Sequence, residues 1–136
     1  MGRFELLEHT ADVGVRARGA TLEEAFEQAT LGLAEVLGAR RPGPGEPVAV
    51  AVTAGDPGGL LVDWLNEVLW QHETRGHAAI AGVRVERVAD GRAAGSVAFS
   101  STAPPADGTF VKAVTYHRLR VDRDAGGWLA EVYLDV

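Results

Sequence analysis

Val13-Gly14-Val15-Arg16-Ala17-Arg18-Gly19, followed at once by Thr21-Leu22-Glu23-Glu24-Ala25-Phe26, is the stretch whose reading decides the fold. Its first half alternates. Val13, Val15 and Ala17 point one way and Arg16 and Arg18 the other, the period of a half-buried strand that Gly19 closes. Its second half changes period. Thr21 and Glu24 form a capping box, in which a hydroxyl and a carboxylate satisfy the open amides of a helix start. Leu22, Ala25, Phe26, Ala29, Leu33, Val36 and Leu37 recur at helical spacing, and Gly38 is placed as the stop.

Working outward, Phe4 and Leu6 alternate with Arg3 and Glu5 and predict a short first strand. Downstream, Arg40 to Gly45 holds the prolines and glycines of a loop, and Val48, Val50 and Val52 predict a strand. Asp56-Pro57 supplies an N-cap and an N1 proline for a second helix, with Leu61, Trp64, Leu65, Val68 and Leu69 as its apolar stripe. The Gly58-Gly59 pair weakens its first turn, and Trp70 falls off the stripe as a candidate partner contact. Val83, Val85 and Val88 lead through the hairpin turn Asp90-Gly91 to Val97 and Phe99. After a polar loop from Ser100 to Gly108, Val111 to Val121 reads as a long strand, Asp122 to Gly127 as a turn and Trp128 to Leu134 as a closing strand. Two helices and about seven strands predict an α+β domain, a two-layer sandwich with the helices packed on one face of a mainly antiparallel sheet.

The 136 residues suit one domain, and 46% hydrophobic with 24% charged residues is an ordinary globular balance that excludes disordered and fibrous classes. The absence of cysteine excludes disulfides, thiolate metal sites and cysteine nucleophiles. A net charge of −6 argues against a domain that grips phosphate backbones unaided and leaves room for a basic protein partner or a divalent cation. Neither a signal segment nor a membrane-spanning run is seen, so a cytoplasmic location is expected. No P-loop, nucleophile elbow, dinucleotide fingerprint or zinc-protease helix is present.

Chemistry concentrates in Glu8-His9-Thr10-Ala11-Asp12, where a plain turn needs only Ser, Asn, Gly or Pro. Asp12 and Asp135 each sit beside a predicted strand at opposite ends of the sequence. If the strands that carry them are neighbours, two carboxylates converge, and such a pair repels unless a cation or proton lies between. Val136 would add backbone oxygens. The plainer reading has Asp12 as a turn acceptor and Asp135 as a solvated residue. In Lys112-Ala113-Val114-Thr115-Tyr116-His117, alternation puts Lys112, Val114 and Tyr116 on one face and Ala113, Thr115 and His117 on the other. Lys112 suits an anion such as phosphate, or is simply an amphipathic residue of a half-exposed strand.

Together these segments resemble the archease family. The resemblance rests on His9-Thr10-Ala11-Asp12-Val13-Gly14, Leu22 to Phe26, Trp64-Leu65-Asn66-Glu67, Lys112 to His117 and the terminal Asp135-Val136, five motifs in order over almost the whole chain. It implies a single archease-like domain over 1–136, a non-enzymatic activator of the RNA-splicing ligase that joins 2′,3′-cyclic-phosphate or 3′-phosphate ends to 5′-hydroxyl ends in tRNA splicing or RNA repair. Such a protein promotes guanylylation of the ligase histidine and multiple turnover, meets guanosine nucleotide through the ligase and binds neither RNA strongly nor membrane. The family's metal site falls on Asp12, Asp135 and the Val136 carbonyl, and oxygen ligands suit Ca²⁺, Mg²⁺ or Mn²⁺ alike. Two features depart from the family pattern: Pro105 stands where a loop histidine is usual, and Phe110 where an acid precedes the lysine. A metal-dependent phosphohydrolase with His9 or His117 as base, and a chaperone-like interaction module, are the alternatives.

Overall fold

A computed structural model describes residues 2–8, 12–100 and 108–136. The expected elements form in the expected order: β1 (Arg3–Glu8), β2 (Asp12–Gly19), α1 (Leu22–Val36), β3 (Glu46–Thr53), α2 (Pro57–Thr74), β4 (Ile80–Ala89), β5 (Arg92–Phe99), β6 (Ala113–Asp124) and β7 (Gly127–Asp135). His9 to Ala11 and Ser101 to Asp107 lie outside the described residues, and with them the motif histidine and Pro105.

Local chemistry explains where the elements start and turn. The Thr21 hydroxyl accepts from the Glu24 N–H at 3.1 Å, and the Glu24 carboxylate reaches back to the Ala20 N–H. Asp56 caps α2 by accepting from the Gly59 N–H at 2.6 Å, with Pro57 in the first turn. The β4–β5 hairpin turns on Asp90 and Gly91, both at positive φ (54° and 73°), the pair a primed two-residue turn requires. Leu119 packs so closely on Gly58 that a Cβ there would lie 2.8 Å from its methyl, which accounts for a glycine in a helix start.

The α+β class holds, with both helices packed on antiparallel strands. The strands divide into two sheets, β1-β2-β7-β6 and β3-β5-β4, with the helices between them, so there are three layers in place of the expected two. One face of α1 packs against β1, β2 and β7 and another against β4, while α2 lies between β6 and the pair β3 and β5. The physical reason lies in the helices. Residues 25, 26, 29, 30, 32, 33, 34 and 36 of α1 are all buried, and at 100° per residue they cover roughly 200° of arc, too wide for one sheet. Thr30 and Ala34 supply much of that second face with short side chains that leave little mark on an apolar pattern.

The two helices are joined by a buried polar chain. The Trp64 indole N–H donates to the Thr30 hydroxyl at 3.0 Å, which donates to the Phe26 carbonyl at 2.7 Å. Trp64 and Phe26 are both wholly buried, so the indole donor finds its partner inside the core. At the far end of α2, His72 is also buried, with Nδ1 2.8 Å from the Ala78 carbonyl oxygen and its ring edge-on to His77. Burial lowers its pKa below the ordinary histidine value and outweighs the Ala78 contact.

Candidate functional site: an acidic end of the four-stranded sheet

β2 and β7 are antiparallel neighbours, and their register sets Asp12 directly opposite Asp135. Directly opposed residues share a sheet face with Cβ atoms about 4.5–5.5 Å apart, so the two carboxylates emerge side by side. Ala113 of β6 is the next residue across, and the Lys112 N–H donates to the Asp135 carbonyl at 2.8 Å. Lys112 and Val136 are exposed beside the pair. One oxygen is anomalous: Asp12 Oδ1 is buried without a hydrogen-bond partner. Buried polar atoms are nearly always satisfied, and an orphaned carboxylate oxygen facing another acid fits a place for a cation. Among the described residues no cluster of three or more His, Cys, Asp or Glu side chains occurs, so at this end they offer an ion two carboxylates and main-chain oxygen.

Behind the acids, Gly14, Tyr133 and Thr115 form the next row on the same face. The Tyr133 ring lies across Gly14, and a Cβ on Gly14 would sit 2.8 Å from it, which explains the glycine inside an alternating strand. Tyr133 is 5% exposed, with its hydroxyl 3.3 Å from Glu131 Oε2. Glu131 in turn accepts from Arg16 Nε at 2.8 Å, and Arg16 reaches Glu5 at 3.3 Å, a ladder across β1, β2 and β7. The hydrogen bond and charge of Glu131 raise the Arg16 pKa above its ordinary value. This network fixes β7 from outside while the core fixes it from within.

β6 departs from the regular strand expected over Val111 to Val121. Thr115 pairs with Tyr133 and Arg120 with Glu131, so Tyr116 to Leu119 loop out against Val132 alone. Alternation therefore stops at Thr115: Val114 is 4% exposed as expected, whereas Tyr116 on the same nominal face is 62% exposed. The bulge turns His117 edge-on to Tyr133, with centroids 6.4 Å apart, and lays the Arg118 guanidinium 5.8 Å over the same ring. Arg118 adopts φ 56°, a left-handed backbone uncommon for arginine.

Asn66 carries a role that its place off the apolar stripe did not reveal. Its side-chain amide donates to the Val114 carbonyl at 3.0 Å and accepts from the Val114 N–H at 2.9 Å, holding the start of β6 to α2. The Trp64-to-Glu67 motif thus joins a core anchor and a strand clamp. Trp70 is 56% exposed, as expected off the stripe, and Phe110 is 64% exposed.

Fold and site together define a class: small α+β sandwich domains whose first-sheet end carries a cross-strand pair of acids. The family model described as the Archease protein family (MTH1598/TM1083) matches residues 4–136, and the chain belongs to the archease family. It is 38% identical to the protein archease of Thermococcus gammatolerans, with 100% of both chains covered. The solution structure of Methanobacterium thermoautotrophicum protein 1598 is similar at TM-score 0.74 and 32% identity, with 98% of each chain covered. The crystal structure of a Thermotoga maritima archease, described as a possible chaperone, is similar at TM-score 0.65 and 25% identity, covering 97% of this chain and 96% of that one. Membership supports an accessory role in RNA processing. Among the described residues no helix is long and apolar enough to cross a membrane.

Proposed function

We propose that this protein activates an RNA-splicing ligase that seals 2′,3′-cyclic-phosphate or 3′-phosphate ends to 5′-hydroxyl ends, promoting guanylylation of the ligase histidine and repeated turnover. The observation that carries the reading is the orphaned Asp12 oxygen opposite Asp135, in a chain of the archease family. Asp12, Asp135 and the Val136 carbonyl would hold a divalent cation, Ca²⁺, Mg²⁺ or Mn²⁺, whose charge supplies electrostatic support for phosphates at the ligase centre. The chain's own part is positional. Tyr133 and the Glu131–Arg16–Glu5 ladder hold β7 in register, and Asn66 holds the neighbouring strand, so that the acids stay opposed. Exposed Lys112, just before the adjacent strand β6, suits a phosphate approaching the same end.

The test adds purified protein in catalytic amounts to the RNA ligase of the same organism and follows guanylylated ligase and joined RNA with time. Stimulation is expected, and Asp12→Ala or Asp135→Ala should abolish it with the fold retained. Full stimulation by both variants would remove the acidic end from the mechanism. Phosphate release from a small substrate without ligase would favour the phosphohydrolase instead.

A further inference from the structure

Most aromatic rings of this protein are covered, either by the core or by an arginine of the same chain. Phe26 and Trp64 are wholly buried. Phe4, Phe99, Tyr133 and Trp128 lie under Arg40, Arg75, Arg118 and Arg123, each guanidinium 5.3–5.8 Å from its ring centroid. Three rings have no such cover among the described residues: Trp70, Phe110 and Tyr116, at 56%, 64% and 62% exposure. Exposed apolar residues scattered singly need no explanation, but aromatic rings grouped along one seam mark a contact surface.

The seam lies between β6 and α2. Leu119 packs on Gly58, the Tyr116 hydroxyl lies 3.5 Å from Asp63 Oδ1, and Asn66 clamps Val114. β6 therefore runs antiparallel to α2, which carries Phe110 toward the Trp70 end of the helix and the acidic end of the sheet. Asp63, Glu67 and Trp70 fall on one stripe of α2, since residues three and four apart share a helix face. At 1.5 Å per residue, Asp63 and Trp70 lie about 10 Å apart along the axis, with Glu67 between them. Both acids are half-buried. Arg16, Arg18, Arg87 and Arg120 pair with other carboxylates, and among the described residues no basic side chain pairs with Asp63 or Glu67.

We infer that this seam is a docking surface for an arginine-bearing segment of a protein partner, whose guanidinium groups lie over Trp70 and Tyr116 and pair with Asp63 and Glu67. Arginine meets both demands at once, because its plane stacks on an aromatic face while its fork donates to a carboxylate. It is also the residue that this chain sets over its other exposed-side rings. Charge selects the class of partner. The two carboxylates repel RNA phosphates and anionic lipid headgroups, whereas a basic protein segment is drawn to a chain of net charge −6. Taking that partner to be the ligase rests on the function proposed above. Continuity favours it, since Phe110 and Lys112 lead from the seam to Asp135.

Hexa-arginine, capped at both ends, tests the surface without any ligase. Titrated into the full chain, it should shift the Trp70 indole N–H signal most among the three tryptophans, the signal being assigned by its loss in Trp70→Phe. D63N/E67Q should weaken binding at least about tenfold. E46Q/E86Q removes the same charge from exposed sites on the other sheet and should weaken it less than about threefold. An unmoved Trp70 signal overturns the inference, and so do equal losses in the two double variants, which mark attraction by net charge alone. With ligase, D63N/E67Q should raise the concentration for half-maximal stimulation at least about fivefold and leave the plateau intact. A lowered plateau at an unchanged half-maximal concentration overturns the ligase as the occupant. No stimulation by the unaltered protein, with hexa-arginine still bound at Trp70, overturns the proposed function and leaves the docking surface standing.

Discussion

The outward faces of the two sheets differ sharply. On the four-stranded sheet, Arg16, Glu131, Tyr133 and Thr115 make a connected polar surface over β7, and Glu131 and Tyr133 are each 5% exposed although they face away from the helices. On the three-stranded sheet the corresponding face has Ala49, Ala51, Ala94, Ser96 and Ala98 at its middle, half-exposed or exposed, with exposed Arg84 and Arg92 beside them. A sheet that serves only to cover helices needs no such network. The investment around β7 marks the side where residue positions matter chemically, and the plain sheet marks a lid for the core.

Removing what both sheets share should erase the contrast, with the largest effect. Trp64→Ala deletes a wholly buried indole and its bond to Thr30, and should lower stability by about 3–5 kcal/mol in urea unfolding. A loss below about 1 kcal/mol would mean the helix layer is not the common support. Next, the acidic end should respond to ions and the plain sheet should not. At about a hundred times its dissociation constant, a divalent cation should stabilise the protein by about 2.7 kcal/mol. Asp12→Asn should remove that gain while raising stability slightly without ions, because it relieves a buried carboxylate oxygen that lacks a partner. Equal ion response in the variant would break the assignment.

Arg16→Ala sharpens the comparison from the polar side. It leaves buried Glu131 short of its closest donor and should cost roughly 1–2 kcal/mol, whereas Ser96→Ala on the plain face should change stability by less than about 0.5 kcal/mol. The smallest effect concerns pH. The folded pKa of His72 lies below its unfolded value of about 6.5, so the folded state binds fewer protons. Its contribution is fully present above about pH 6.5 and is lost as the pH falls from there toward the folded pKa. His72→Gln should flatten that part of a stability–pH curve, and an unchanged curve would show that His72 does not titrate with folding.

The order and type of all nine elements were legible, because period, caps and turn residues are local signals, as Thr21–Glu24 and Asp90-Gly91 show. The split into two sheets was not. It depends on the second face of α1, where Thr30 and Ala34 are too short or polar to register as apolar. Asp12 and Asp135 were legible as acids at strand ends, but only β-sheet register, a long-range property, sets them opposite each other. Asn66, Glu23 and Glu27 were missed for a common reason. A polar residue off a helix's apolar stripe reads as solvent-facing, yet these three serve the main chain of strands packed alongside. Gly14 was the available clue to Tyr133, since a glycine within an alternating strand signals something lying close above it.

The pairing of β2 with β7 also sets a timetable. The ribosome delivers β1, β2 and α1 early, but β2 lacks its second neighbour until β7, more than 100 residues later, has emerged and slid between β2 and β6. Contacts this distant along a chain form late and slowly. A partly made or misfolded copy can carry a well-formed α1 and still lack the juxtaposed acids, so the acidic end arises only in copies that have finished folding.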